Sequence, residues 1–259
     1  MSIHAIHPTA ILGPQTELGE NVTIGPYSII EEDVFIDSGT QIGAHVYIDR
    51  YTHIGKNCRI SPFTTIGTPP QDIKFKGEKT QVVIGDENDI REYVTINRGS
   101  SGGGSTTIGN QNLIMAYCHV GHDCQLGNGI IIVNLSMLAG HVVLEDYSRL
   151  NALVAVQQFV RVGAYAIVGA KSGIRKDILP YVFADGDKAK LLGLNTIGLK
   201  RHDFSDEVIT ALKKTYQIVI HSHLTVQEAL NRVEKEVPSI PEVRRFLDFI
   251  QNSQLGITR

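Results

Sequence analysis

Three short stretches hold the side chains that could move an acyl group: His119-Val120-Gly121-His122-Asp123, Leu138-Ala139-Gly140-His141, and the region of Gln158. A neutral imidazole accepts a proton near pH 7, and an adjacent carboxylate can orient the ring. A backbone N–H with no side chain in front of it can hold a developing oxyanion. His122, Asp123 and Gly140 are therefore a candidate catalytic set, and the chemistry they suit is acyl transfer. They can act together only if the fold stacks them. The spacing says that it does: His122, Gly140 and Gln158 are eighteen residues apart, as are Asp123, His141 and Phe159. A metal centre is the competing chemistry, since His119, His122 and His141 are close in sequence. On an extended strand, however, His119 and His122 lie roughly 10 Å apart, too far to share an ion whose ligands sit about 2 Å away. Ligands from a neighbouring subunit would be needed to complete such a site, so the expectation is no metal.

The stacking period comes from a repeat that runs from Ile6 to Ile174. Every sixth residue is aliphatic, from Ile6, Leu12, Leu18 and Ile24 through Ile60 and Ile66, and again from Ile84 to Ile174; Asp72, Glu78 and Gly102 are the exceptions. The residue two before each aliphatic is usually small, as in Ser28, Thr40, Cys58, Thr64, Cys118, Cys124 and Ser136. Two inward positions in six residues make one flat side. Three sides close a coil of eighteen residues, with strands of successive coils about 4.8 Å apart. Glycine follows many of the aliphatics, as in Leu12-Gly13, Ile42-Gly43 and Val120-Gly121, where the expectation is that a corner needs backbone freedom. The fold expected is mainly β: a parallel β-helix over residues 1–190 with an α-helical domain over 191–259.

Two breaks interrupt the coils. Pro69 to Thr80 carries prolines and charges and reads as an excursion that could carry function, whereas Gly99 to Ser105 reads as a flexible, featureless cover for an edge. Beyond Pro180 the period becomes helical. Ser205 opens one helix, a Thr225/Glu228 capping box a second, and Ser239 with Pro241 a third. A net charge of -3 argues against nucleic acid as the partner. No long apolar run offers a membrane span, and Met1-Ser2-Ile3-His4 does not open a signal peptide, so the expected location is cytoplasmic with no stable membrane insertion. All three cysteines fall in the small inward column and read as packing residues.

Further motifs join these. Gln71-Asp72-Ile73-Lys74, Gly102-Gly103-Gly104, His119-Val120-Gly121-His122-Asp123-Cys124, Leu138-Ala139-Gly140-His141, Gln158-Phe159, and Asn195 with Gly198-Leu199-Lys200-Arg201 follow one another along nearly the whole chain. With them the sequence resembles the UDP-N-acetylglucosamine acyltransferases that begin lipid A synthesis. The resemblance implies a left-handed β-helix, a homotrimer with sites between subunits, and a (3R)-3-hydroxyacyl donor carried on the phosphopantetheine of acyl carrier protein, with no other cofactor. It makes His122 the base, supported by Asp123, and gives the thioester oxygen to the Gly140 N–H. Asp72, Lys74, His119, His141, Gln158, Asn195 and Arg201 match positions that bind the sugar nucleotide. Four residues depart from the family pattern: Gln157 and Lys188 stand where histidine is common, Ile197 where glutamate is, and His202 where arginine is. Gln157, beside Gln158, is thereby a candidate for acceptor choice, with a 3-hydroxyl or a 3-amine as nucleophile.

Two other classes share the scaffold. One is a different hexapeptide acyltransferase, dependent on acetyl-CoA or acting on nitrogen later in the same pathway; the other is a β-helix with no enzymatic role. One last pattern concerns the donor. Leu135, Leu153 and Lys171 form an outward column with Ala170 beside it, and Met137 extends the apolar strip. This is a candidate acyl-chain groove that ends at Lys171, since methylenes packed on an ammonium are unfavourable.

Overall fold

The computed structural model describes residues 5–222 and 224–259; Met1 to His4 lie outside the described residues. The repeat builds a left-handed parallel β-helix of three sheets, with strand orders that step through every third strand. Among the described residues the first sheet has 11 strands, the second 9 and the third 8. Most strands are only two residues long, because each side of the prism is crossed in two residues before a turn begins. Partners stack as the eighteen-residue period requires: Ala5 on Thr23, Ile11 on Ile29, His119 on Met137, Met137 on Ala155.

The two breaks do not disturb the stack because each inserts a multiple of six. Thr65 pairs with Thr95 and Thr95 with His119, so one coil is lengthened by twelve residues and another by six. Both insertions leave from the second sheet, after Thr65–Thr68 and after Thr95–Asn97, and return to the third, at Gln81–Ile84 and Ser105–Ile108. They therefore emerge at the same corner of the prism.

The corner chemistry differs from expectation. Except for Gly67 after Ile66 (φ 84°), the glycines that follow the aliphatics do not have positive φ; the left-handed residues come two positions later and are mostly not glycine, for example Tyr117 (φ 63°), Asp123 (59°), Leu135 (64°) and His141 (61°). What demands glycine after the aliphatic is proximity. A Cβ on Gly121 would stand 2.8 Å from the Leu138 carbonyl oxygen in the next coil, and one on Gly43 would stand 2.8 Å from Pro62 N. The corner is tight between coils rather than strained within one.

Inside, the aliphatic column is buried from Ile24 onward, while Ile6 and Leu12 remain 36% and 37% exposed because no coil precedes theirs among the described residues. The small inward hydroxyls fasten successive coils, Ser28 Oγ donating to the Gly43 carbonyl and Thr40 Oγ1 to that of Gly55, each at 2.7 Å. Cys58, Cys118 and Cys124 are buried free thiols. Burial pushes Cys118 up to about 11 and Cys124 up to about 12, so neither offers a thiolate at neutral pH.

The last coil closes with an antiparallel pair, Val182–Asp185 on Lys190–Leu194, so the first sheet continues past residue 190. Among the described residues four helices follow: α1 (Thr196–Arg201), α2 (Asp206–His221), α3 (Val226–Glu236) and α4 (Pro241–Gln251). Ser205 caps α2 and the Thr225/Glu228 capping box opens α3, as their sequences indicate. At α4 the cap is Ile240 rather than Ser239, with Pro241 in the first turn. α1 escapes the periodicity because six residues give too little pattern to read.

Candidate active site

The corner between the second and third sheets carries the site. His122 and Asp123 form the turn between His119–Val120 and Gln125–Leu126, and Gly140 and His141 form the turn one coil above. His122 Nδ1 lies 2.7 Å from Asp123 Oδ2, which fixes Nδ1 as the protonated nitrogen facing the carboxylate and leaves Nε2 as the free base. The ring lies directly over Gly140: a Cβ there would stand 2.5 Å from both Cε1 and Nε2. Among the described residues the Gly140 N–H meets no hydrogen-bond acceptor. A basic nitrogen and an uncommitted backbone donor thus stand side by side, which is what addition to a carbonyl needs.

The dyad is not an outward surface feature. His122 is 7% exposed and Asp123 4%, because the insertion at 98–104 folds over them. The segment taken for a featureless cover is the main support of the carboxylate. The Ser100 N–H donates to Asp123 Oδ1 at 2.9 Å and Ser100 Oγ–H to Oδ2 at 2.6 Å, while a Cβ on Gly103 would stand 2.4 Å from Oδ1. Below, the Asp123 N–H donates to Thr106 Oγ1 at 2.9 Å. Ser100 could not be found from the repeat, since an insertion has no register, and the run Gly102-Gly103-Gly104 is the one sequence hint of close backbone approach; Thr106, two before Ile108, is a member of the small inward column. Arg98 anchors the base of this loop, paired with Asp49 at 3.2 Å and lying 5.6 Å from the centre of the Phe75 ring, so the two insertions pack on one another.

The remaining candidates divide by face. His141 stands with Nε2 3.5 Å from Asp123 Oδ2 and stacks on Phe159 at 4.6 Å. His119 is half-buried on the second sheet, with Nδ1 2.8 Å from Thr95 Oγ1, and burial holds its pKa below the ordinary value, with the nearby His122 adding to the effect. Gln157 and Gln158 are exposed at the same corner. Asp72 and Lys74 ride on the first insertion, where Asp72 Oδ1 accepts the Lys74 N–H at 2.9 Å and the Lys74 side chain is free to solvent. Asn195 and Arg201 are elsewhere. They line a cleft of about 240 Å³ over the first sheet with Ile131, Arg149, Tyr165 and His202. Asn195 caps α1, accepting from Gly198 N at 3.0 Å and donating to the Tyr165 carbonyl at 2.9 Å. Of the departures, His202 packs near Tyr147 and Tyr165, and Ile197 is 69% exposed.

The apolar strip crosses the second sheet. Met137 and Ala155 are on its strands, while Leu135, Leu153, Ala170 and Lys171 occupy the far corner, between the first sheet and the second. Leu135 and Gly140 are five extended residues apart, roughly 16 Å. The column is therefore a sheet's width from the dyad rather than beside it. As for a cation, the groups among the described residues that come to metal-ligand spacing are His122, Asp123 and His141, with donor atoms within 4.8 Å of one another, not the three histidines. Asp123 already accepts Ser100 and His122 hydrogen bonds on the oxygen such an ion would use.

A model described as bacterial transferase hexapeptide (six repeats) matches residues 27–62 and 105–140, and one described as UDP N-acetylglucosamine O-acyltransferase, domain 2, matches 177–258. The acyl-[acyl-carrier-protein]–UDP-N-acetylglucosamine O-acyltransferase of Thermodesulfovibrio yellowstonii is 52% identical over 258 residues, covering 99% of this chain and 100% of that protein. The chain belongs to the UDP-N-acetylglucosamine O-acyltransferase family. The enzyme of the same description from Alkalilimnicola ehrlichii is 51% identical over 98% of this acyltransferase and 99% of its own length. A crystal structure of a UDP-N-acetylglucosamine acyltransferase from Bacteroides fragilis superposes with a TM-score of 0.96 at 42% identity, covering 98% of this chain and 99% of that one. A β-helix without enzymatic role is set aside by these matches.

Proposed function

We propose that this acyltransferase moves a (3R)-3-hydroxyacyl group from the phosphopantetheine of acyl carrier protein to the 3-position of UDP-N-acetylglucosamine or its 3-amino analogue, the first step of lipid A synthesis, in the cytoplasm and with no further cofactor. The observation that carries the reading is the His122–Asp123 hydrogen bond, which turns Nε2 toward Gly140. His122 Nε2 takes the proton from the sugar nucleophile as its oxygen or nitrogen attacks the thioester carbonyl. The new bond drives the carbonyl electrons onto oxygen, where the Gly140 N–H holds them. Collapse expels the thiolate, which takes the proton back from His122 and leaves as the free thiol. Asp72, Lys74, His141, Gln157 and Gln158 hold the sugar nucleotide from the same corner, and His119 from the adjoining strand of the second sheet. Asn195 and Arg201 lie over another face, and a homotrimer reconciles the two: they would complete the site of a neighbouring copy.

The decisive experiment is acyl transfer by the purified protein, offering 3-hydroxy and 3-amino UDP-sugars with acyl carrier protein donors of several lengths, and in parallel acetyl-CoA as donor and a pre-acylated sugar amine as acceptor. Transfer only from acetyl-CoA, or only to a pre-acylated sugar amine, would replace this reading with one of the other hexapeptide transferases.

Two substitutions sharpen substrate choice. Gln157 cannot carry a positive charge, whereas histidine can, so Gln157→His is expected to change the ratio of kcat/KM on the two acceptors. An unchanged ratio would remove Gln157 from acceptor choice. For the donor, the chain is taken to run from Gly140 across Met137 and Ala155 to the Leu153/Lys171 corner. Lys171→Ala is expected to shift preference toward longer acyl chains with acceptor KM unaltered. The same chain-length profile in the variant would mean that another residue closes the groove.

A further inference from the structure

We propose that Ser100 is a positioning residue that commits Asp123 to His122; the proposal rests on the reading of His122 as the base. Asp123 faces two imidazoles with one oxygen. Oδ2 is 2.7 Å from His122 Nδ1 and 3.5 Å from His141 Nε2, and the two rings stand edge to face, 5.2 Å apart at 88°. A carboxylate free to rotate about its Cβ–Cγ bond could serve either ring. Ser100 removes that freedom by gripping both oxygens, its N–H on Oδ1 and its hydroxyl on Oδ2. Two donors on two oxygens define the carboxylate plane, and that plane points Oδ2 at His122.

The loop is built to make this grip. The Gly104 N–H donates back to the Ser100 carbonyl at 2.7 Å, closing a tight turn in which Gly104 has φ +76°. The turn lays Gly103 against Oδ1, where any Cβ would collide, and brings Gly102 to the edge of His141. Ser100 itself is 8% exposed, so water does not compete for its hydroxyl. A hydrogen bond to an ionised group in such a place is stronger than one at the surface.

The test is Ser100→Ala beside Ser100→Thr, which keeps the hydroxyl. In the alanine variant kcat is expected to fall about 10- to 100-fold, the range known for loss of a group that orients a metal-bound histidine and taken here for one that orients a catalytic histidine, while KM for the sugar nucleotide holds. The threonine variant is expected to recover most of the rate. The low-field proton resonance of His122 Nδ1–H, which reports its bond to Asp123, should move upfield and broaden in Ser100→Ala alone. If the threonine protein misfolds, this resonance in the alanine protein decides. Wild-type kcat in Ser100→Ala, or a fall in kcat with the resonance unmoved, overturns the proposal. His122→Ala measured alongside separates the two ideas: a dead His122 variant with a fully active Ser100 variant refutes only the positioning role, whereas an active His122 variant refutes the base.

Discussion

Replacing His122 with alanine is expected to lower the rate of acyl transfer by about 10² to 10⁴-fold, the usual contribution of a general base. The loss should fall on kcat, because Nε2 acts on the proton that leaves the nucleophile rather than on the bulk of the sugar nucleotide. Burial adds a second consequence. At 7% exposure the imidazole fills space between Gly140, Asp123 and His141, so the alanine protein is also expected to melt at a lower temperature than wild type. Activity is therefore best compared well below either melting transition. Asp123 keeps both Ser100 donors in the variant, so its carboxylate is not stranded and the fold should survive. Turnover near the wild-type rate at saturating substrate would rule out His122 as the base.

Ile132→Ala is expected to produce the largest stability loss, roughly 2 to 5 kcal/mol, with the catalytic groups in place. Ile132 is fully buried and stacks between Ile114 and Leu150 in the first sheet, so its removal opens a cavity shared by three coils. Coils above and below cannot close on the gap, because their spacing is set by backbone hydrogen bonds such as Met115 N–H to the Ile132 carbonyl at 2.8 Å. Denaturant melts of the two proteins, followed by circular dichroism, measure the difference. A loss below the cost of a surface substitution would mean that the column is packed less tightly than the stack implies.

The coil was legible in the sequence because the β-helix translates period directly into position. Six residues make a side and eighteen a turn, so Gly140 had to lie above His122 and His141 above Asp123, and both do. The helical caps at Ser205 and Thr225 were legible for a similar reason, since a local hydrogen bond leaves a local signature. The glycines after the aliphatics were visible, but their cause was not: sequence marks the need for a missing side chain without saying whether φ or a neighbouring coil imposes it.

The sequence by itself therefore determined the prism, the stacking of His122, Asp123, Gly140 and His141 in one column, and the helical ending, all of which follow from periodic burial or from contacts within a few residues. Tertiary structure alone decided what happens where the period stops. It folded residues 98–104 over the dyad, buried His122, and gave Asp123 its partner in Ser100, twenty-three residues away along the chain. It also set Asn195 and Arg201 over a different sheet from the base and spread the apolar strip across the width of another. An insertion has no register to read, and a side chain's face is known only once the corners are placed, so these relations arise from packing between segments that carry no common pattern.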